Sequence, residues 1–240
     1  MVLFFDLDGT LLLGGQISER CHKALEMARD AGHTLVINTG RAPAFVPEKV
    51  FNDPVFDGHI CGSTYVDFKG KVLSYDSLSK DLLTRVYDFS IKNRLQVVYE
   101  GAKENFISCA QGLNYTDAAL MFSREELPAI VKITFACDPK KVPADAFEGL
   151  RVVHFKSYAE GIKQGYDKAY GMKLILEELG LSREDAVAFG DSENDIDMLK
   201  FAGKGVAMKN APESFDDFCV YRAEEQDGVP EGLLALGLCE

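Results

Sequence analysis

Apolar and polar positions follow one another along this chain in two rhythms, and the rhythm changes twice. Val2 to Phe5 is an unbroken apolar run ending at Asp6, the pattern of a parallel strand buried on both faces. Ser18 can then cap a helix running from Glu19 to Arg29, and Gly32 stops it where left-handed backbone is favoured. A second β-branched run, Thr34 to Ile37, ends in the polar Asn38-Thr39-Gly40-Arg41. Strand, crossover helix, strand is the grammar of a doubly wound parallel sheet.

The C-terminal part repeats that grammar. Ala169, Met172, Ile175, Leu176 and Leu179 fall on one face of a helix predicted over 168–179, which Gly180 stops. Ala186 to Phe189 is another buried-strand run ending at Gly190-Asp191, followed by a helix from roughly Asn194 to Ala202 and a strand at Gly205 to Met208.

Between these halves the pattern is mixed. A helix is expected over Lys80 to Asn93, and strands at Leu95 to Tyr99, Asn105 to Ser108, Ala129 to Ala136 and Arg151 to Phe155. Ser123-Arg124-Glu125-Glu126 reads as the start of a short helix, and Glu100 to Glu104 as a polar loop between strands. The expected architecture is α/β: a Rossmann-like doubly wound parallel-sheet core, split in sequence into residues 1–77 and 164–240, with an α+β domain inserted at 78–163.

Composition narrows the function without naming it. With 47% apolar and 27% charged residues among 240, a packed core is attainable. A net charge of −12 argues against a partner that is nucleic acid or an anionic membrane. It leaves open a small anionic substrate, because a bound cation can invert the field at one site. The cysteines Cys21, Cys61, Cys109, Cys137, Cys219 and Cys239 form no C-x-x-C pair and none sits at zinc-ligand spacing from a histidine. Scattered thiols, with no leader or apolar stretch of spanning length, give the expectation of a cytoplasmic protein. His22, His33, His59 and His154 are scattered too, and are taken as structural.

Two acidic clusters carry the candidate chemistry. Asp6-Leu7-Asp8-Gly9-Thr10 stands at one strand end, and Gly190-Asp191-Ser192-Glu193-Asn194-Asp195 at another. Carboxylates so close together repel one another and call for a cation or a shared proton. A solvated turn in the first case and a helix cap in the second are the plain alternatives. Neither explains why both clusters lie at the same edge of one sheet, the edge at which such sheets bind ligands. Oxygen-rich sites of this kind suit magnesium.

In order, D-L-D-G-T-L-L, N-T-G-R, a lysine opening a helix, and G-D-S-E-N-D-I-D-M-L resemble the four motifs of the haloacid dehalogenase-like (HAD) phosphatase superfamily. The run Ala202 to Ala211 and the late Asp227-Gly228-Val229 resemble its Cof-type branch, which carries a type IIB cap where the inserted pattern falls. The resemblance implies a magnesium-dependent phosphatase acting on a small phosphorylated metabolite. Asp6 would be the nucleophile that becomes an aspartyl phosphate, and Asp8 the acid and then the base. Mg2+ would be held by Asp6, the Asp8 backbone carbonyl and Asp191, with Asp195 orienting the site and Asn210 supporting Lys168 or the substrate. Thr39, Gly40, Lys168 and Asn194 would bind the phosphoryl group, and the cap would select the substrate. Two positions depart from the branch: Cys61-Gly62-Ser63 stands for Asn-Gly-Ala, and Asp167-Lys168-Ala169 for Ser-Lys-Gly.

Rival functions share much of this pattern. A phosphomutase or other phosphotransferase would use the same intermediate but pass it to a sugar. A receiver-like module would bind magnesium without catalysis, yet receivers are about half this length. A dehalogenase has no need of Asp8. Oligomeric state is not legible.

Overall fold

The computed structural model describes residues 1–108 and 116–239, so Cys109 lies outside the described residues. In chain order the first half contributes β1 (Val2–Phe5), α1 (Glu19–Asp30), β2 (Thr34–Thr39), α2 (Glu48–Phe51), β3 (Gly58–Cys61), β4 (Tyr65–Phe68) and β5 (Lys71–Tyr75). The middle contributes α3 (Lys80–Lys92), β6 (Val97–Gly101), β7 (Asn105–Ser108), β8 (Thr116–Asp117), α4 (Ala118–Phe122), β9 (Ile130–Phe135), β10 (Leu150–His154) and β11 (Ala159–Lys163). The last part contributes α5 (Lys168–Leu179), β12 (Ala186–Gly190), α6 (Ile196–Phe201), β13 (Lys204–Ala207), β14 (Tyr221–Arg222) and α7 (Gly228–Ala235).

These elements form two compact units, one of residues 1–40, 49–74 and 167–240, the other of residues 41–48 and 75–166. The first unit is built on a sheet in the order β14-β13-β12-β1-β2-β3-β4-β5. Its strands are parallel from β14 through β3, and β4 returns antiparallel to β3. Alternate side chains of each strand serve opposite faces. Val2, Phe4, Val36 and Ile60 pack with Met172, Ile175 and Leu176 of α5 and Met198 and Leu199 of α6. On the other face Phe5 stacks on Phe189 with ring centroids 4.7 Å apart, and α1 packs beside α7. A β-carbon on Gly232 of α7 would come 2.9 Å from the Phe189 ring, so the small residue lets that helix lie close to the sheet. The doubly wound parallel core expected from the sequence is therefore present.

The second unit is an α+β sandwich. Its sheet runs β10-β11-β9-β6-β7-β8 and is antiparallel except at β7–β8. Leu82, Leu83 and Val86 of α3 bury against Val97, Tyr99, Phe106, Ile133 and Phe135 on one sheet face. Ser79 caps α3 by accepting from Leu82 N, as a serine before an apolar-periodic run should.

Several local expectations need correction. Ser123 ends a helix instead of starting one: Asp117 caps α4, and the Ser123 hydroxyl donates back to Leu120 O, a local bond typical of helix termini. Glu100 and Gly101 belong to β6, so the loop before β7 is only residues 102–104. The helix expected from Asn194 begins as a 3-10 turn over Glu193–Asp195 before α6. Strands β4, β5 and β11 carried too few consecutive apolar residues to be noticed. Among the described residues no helix is long and apolar enough to cross a membrane.

Candidate active site

Because β1, β2 and β12 run parallel, their carboxyl ends open on one edge, and that topology gathers the acidic clusters. Asp6 follows β1, anchored by its N–H to Phe189 O at 2.9 Å. Asp191 follows β12. Carboxylate oxygens of Asp6, Asp191 and Asp195 all lie within 4.8 Å of one another. Gly9 explains how the approach is possible. Its φ is +86°, and a β-carbon there would sit 2.4 Å from Asp191 Oδ2, so the turn after β1 needs glycine for conformation and for space. The Thr10 hydroxyl donates to Asp191 Oδ1 at 3.1 Å, a contact sequence reasoning left unassigned although Thr10 stands inside the motif.

Lys168 is the first residue of α5 and is almost wholly buried. Its ammonium donates to Asp6 Oδ1 and to Asp195 Oδ1, the latter at 2.5 Å. Asp195 has no spare capacity, since its Oδ2 accepts from Asp191 N at 2.9 Å and Ser192 N at 3.0 Å. The carboxylate of Asp167, uninterpreted in the sequence, is the α5 N-cap and accepts from Ala169 N and Tyr170 N.

The remaining candidates divide. A β-carbon on Gly40 would lie 3.6 Å from Asn194 Nδ2, so the motif after β2 and the motif after β12 meet. Thr39 ends β2 and is buried, its carbonyl accepting from Gly62 N at 3.1 Å. Asp8 is exposed beside this edge. Asn210 is exposed, and its amide donates to Gln226 Oε1 at 3.1 Å in a loop whose Met208, Ala211 and Pro212 carbonyls all accept from Arg222.

The electrostatics follow from crowding. Burial, joined by repulsion from Asp195 and Asp191, pushes the Asp6 carboxyl up to about 8 despite the opposing Lys168. Burial and the charge of Asp195 also raise the Asp191 carboxyl, against the pull of Thr10 and Lys168. Burial alone would discharge Lys168, but Asp195 and Asp6 overcome it and hold the ammonium charged. Three carboxylates share one lysine, and the donor set is all oxygen. A hard divalent cation fits that chemistry.

Fold and site together define a Rossmann-like α/β protein with three carboxylates and a buried lysine gathered at one sheet edge. The sequence matches the family of haloacid dehalogenase-like hydrolases over residues 3–233, and the chain belongs to that family. It is 28% identical to the 5-amino-6-(5-phospho-D-ribitylamino)uracil phosphatase YitU of Bacillus subtilis, across 95% of this chain and 94% of that protein. It is 30% identical to the pyridoxal phosphate phosphatase YbhA of Escherichia coli, across 89% of each. A solved HAD subclass IIB sugar phosphatase shares the fold with a TM-score of 0.85 over 99% of both chains, at 21% identity. The chain is thus a HAD-like enzyme among relatives named as phosphatases.

Proposed function

We propose that the protein is a magnesium-dependent phosphatase that hydrolyses a small phosphorylated metabolite through an aspartyl phosphate on Asp6. The observation that carries this reading is the convergence of Asp6, Lys168 and the Asp191–Asp195 turn from three separate chain segments. The Asp6 carboxylate, the Asp8 carbonyl and Asp191 would hold the cation, which when bound offsets negative charge so that nucleophile and phosphate can approach. Asp6 attacks phosphorus and the bond to the leaving alkoxide breaks. Asp8 supplies the proton that alkoxide needs. Asp8 then takes a proton from water, whose oxygen attacks the same phosphorus, releasing phosphate and restoring Asp6. Lys168 sets its charge against the nucleophile and the phosphoryl group. Thr39, Gly40 and Asn194 donate to phosphoryl oxygens. Asp195, with both oxygens engaged, orients Lys168 and the turn bearing Asp191.

The relatives' named substrates differ, so only the class carries over: a phosphate monoester of modest size, with sugar phosphates the first group to assay. Purified protein incubated with p-nitrophenyl phosphate should release phosphate with Mg2+ and stop in EDTA. Phosphate released with water as sole acceptor supports the hydrolase over a phosphomutase. No turnover of this ester or of a phosphometabolite panel would leave a magnesium-binding module instead.

A further inference from the structure

Lys168 is held by its side chain, but its backbone also needs a fixed place, and one residue outside the roles described so far provides it. Asn38 stands in β2 immediately before Thr39 and is fully buried. Its Nδ2 donates to the main-chain carbonyl of Lys168 at 2.8 Å, across 130 residues of sequence. The Asn38 Oδ1 is buried too and receives no hydrogen bond from the described residues. A buried amide with only its donor used is costly, and the neighbouring apolar positions on this face, Val36 and Ile60, show what packing alone would place there.

We infer that Asn38 is a positioning residue for Lys168: its amide fixes the first turn of α5 against β2 and so sets how far the ammonium reaches toward Asp6. Two neighbours complete the seat. Asp167 holds the first N–H groups of α5 from the other side. Gly171, one turn on, packs so tightly on β3 that a β-carbon would lie 2.6 Å from Ile60 Cγ2. Without the Asn38 donor, the start of α5 keeps its cap and its packing but loses its polar tie to the strand that ends in Thr39. The inference rests on the proposed role of Lys168 in phosphoryl transfer.

Asn38→Leu is the sharpest test, because leucine matches asparagine in shape, removes the donor and also removes the unsatisfied acceptor. With p-nitrophenyl phosphate and saturating Mg2+, kcat should fall about tenfold to a hundredfold, as expected for small misplacement of a reacting group, with Tm little changed. In a Lys168→Ala background the same substitution should change kcat less than about twofold, since the group it positions is gone. Inhibition by orthovanadate should weaken in Asn38→Leu by the same factor as kcat/KM. If Asn38→Leu folds poorly, Asn38→Ser, which keeps a hydroxyl, and Asn38→Ala form the alternative pair, and the serine variant should be the faster. Lys168→Ala strongly slowed with Asn38→Leu at the wild-type rate would overturn the positioning role alone. A Lys168→Ala variant as fast as the wild type would overturn the reading of Lys168 beneath it, and additive losses in the double variant, read on the residual rate of Lys168→Ala, would reduce Asn38 to a packing residue.

Discussion

Each unit of the molecule buries a lysine between two carboxylates, and the two arrangements have opposite consequences. In the second unit Lys132 of β9 contacts Glu160 at 2.7 Å and Glu100 at 3.7 Å. These partners are neighbours by register: Glu100 pairs directly with Lys132, and Glu160 with Thr134. Glu100 also accepts from the Thr134 hydroxyl at 2.5 Å and from the Ala42 backbone. Burial opposes the charge of Lys132, but Glu100 and Glu160 together raise its pKa. In the first unit Lys168 answers Asp6 and Asp195, yet Asp191 joins them and Asp6 is driven up to about 8. Cross-strand pairing yields a cluster whose hydrogen bonds its own sheet supplies, although burial still holds the Glu100 carboxyl above its ordinary value despite Lys132. Convergence at strand ends yields one that is short of positive charge, and that shortage is what a cation or an anionic substrate with its cation can exploit.

The comparison can be broken in four ways. The largest effect belongs to Asp6→Asn. Turnover of p-nitrophenyl phosphate should fall more than about a thousandfold, because an amide does not attack phosphorus. Above pH 8, where the wild-type carboxyl is ionised, its Tm in EDTA should equal or exceed that of the wild type, since a disfavoured buried charge is removed. Near-normal rates would end the nucleophile assignment. Lys132→Met should act on stability: stranding the buried Glu100 and the half-buried Glu160 costs about 3–5 kcal/mol, read from urea unfolding. An unchanged midpoint would show that this cluster is not the structural element described.

The third effect is linked to pH. A carboxyl raised above its unfolded value of 3.8 to about 8 gives stability that is complete at low pH and is lost as pH rises through about 8. Mg2+ binds the ionised form, so it should raise Tm more at pH 8 than at pH 6; at ten times its pH 8 Kd it stabilises the fold by about 1.4 kcal/mol. A Tm gain that is larger at pH 6 would contradict the charge shortage. The smallest effect is at Asn210, whose exposed amide holds Gln226. Asn210→Ala should cost no more than about 0.5 kcal/mol and leave kcat/KM within about twofold. A larger kinetic loss would restore Asn210 as a support for Lys168 or the substrate.

By itself the sequence determined the parallel core and the order of its motifs. Long β-branched runs such as Thr34 to Ile37, and amphipathic segments such as 168–179, carry their period in consecutive residues, so local physics suffices. It also marked Asp6 and Asp191, because acidic clusters at strand ends stand out against apolar neighbours, whereas Lys168 was singled out by the order of the motifs in the family resemblance. Strands such as β4, β5 and β11 were silent, being short and half-polar, with their packing supplied by distant partners. The tertiary structure alone decided that Gly9 admits the Asp191 carboxylate and that Asn38 reaches Lys168 across 130 residues. Each of those is a through-space relation between segments with no common sequence period. The physical reason is one of scale: hydrophobic rhythm is written within a turn or two of chain, whereas charge balance and close approach exist only after the sheet has brought its strand ends together.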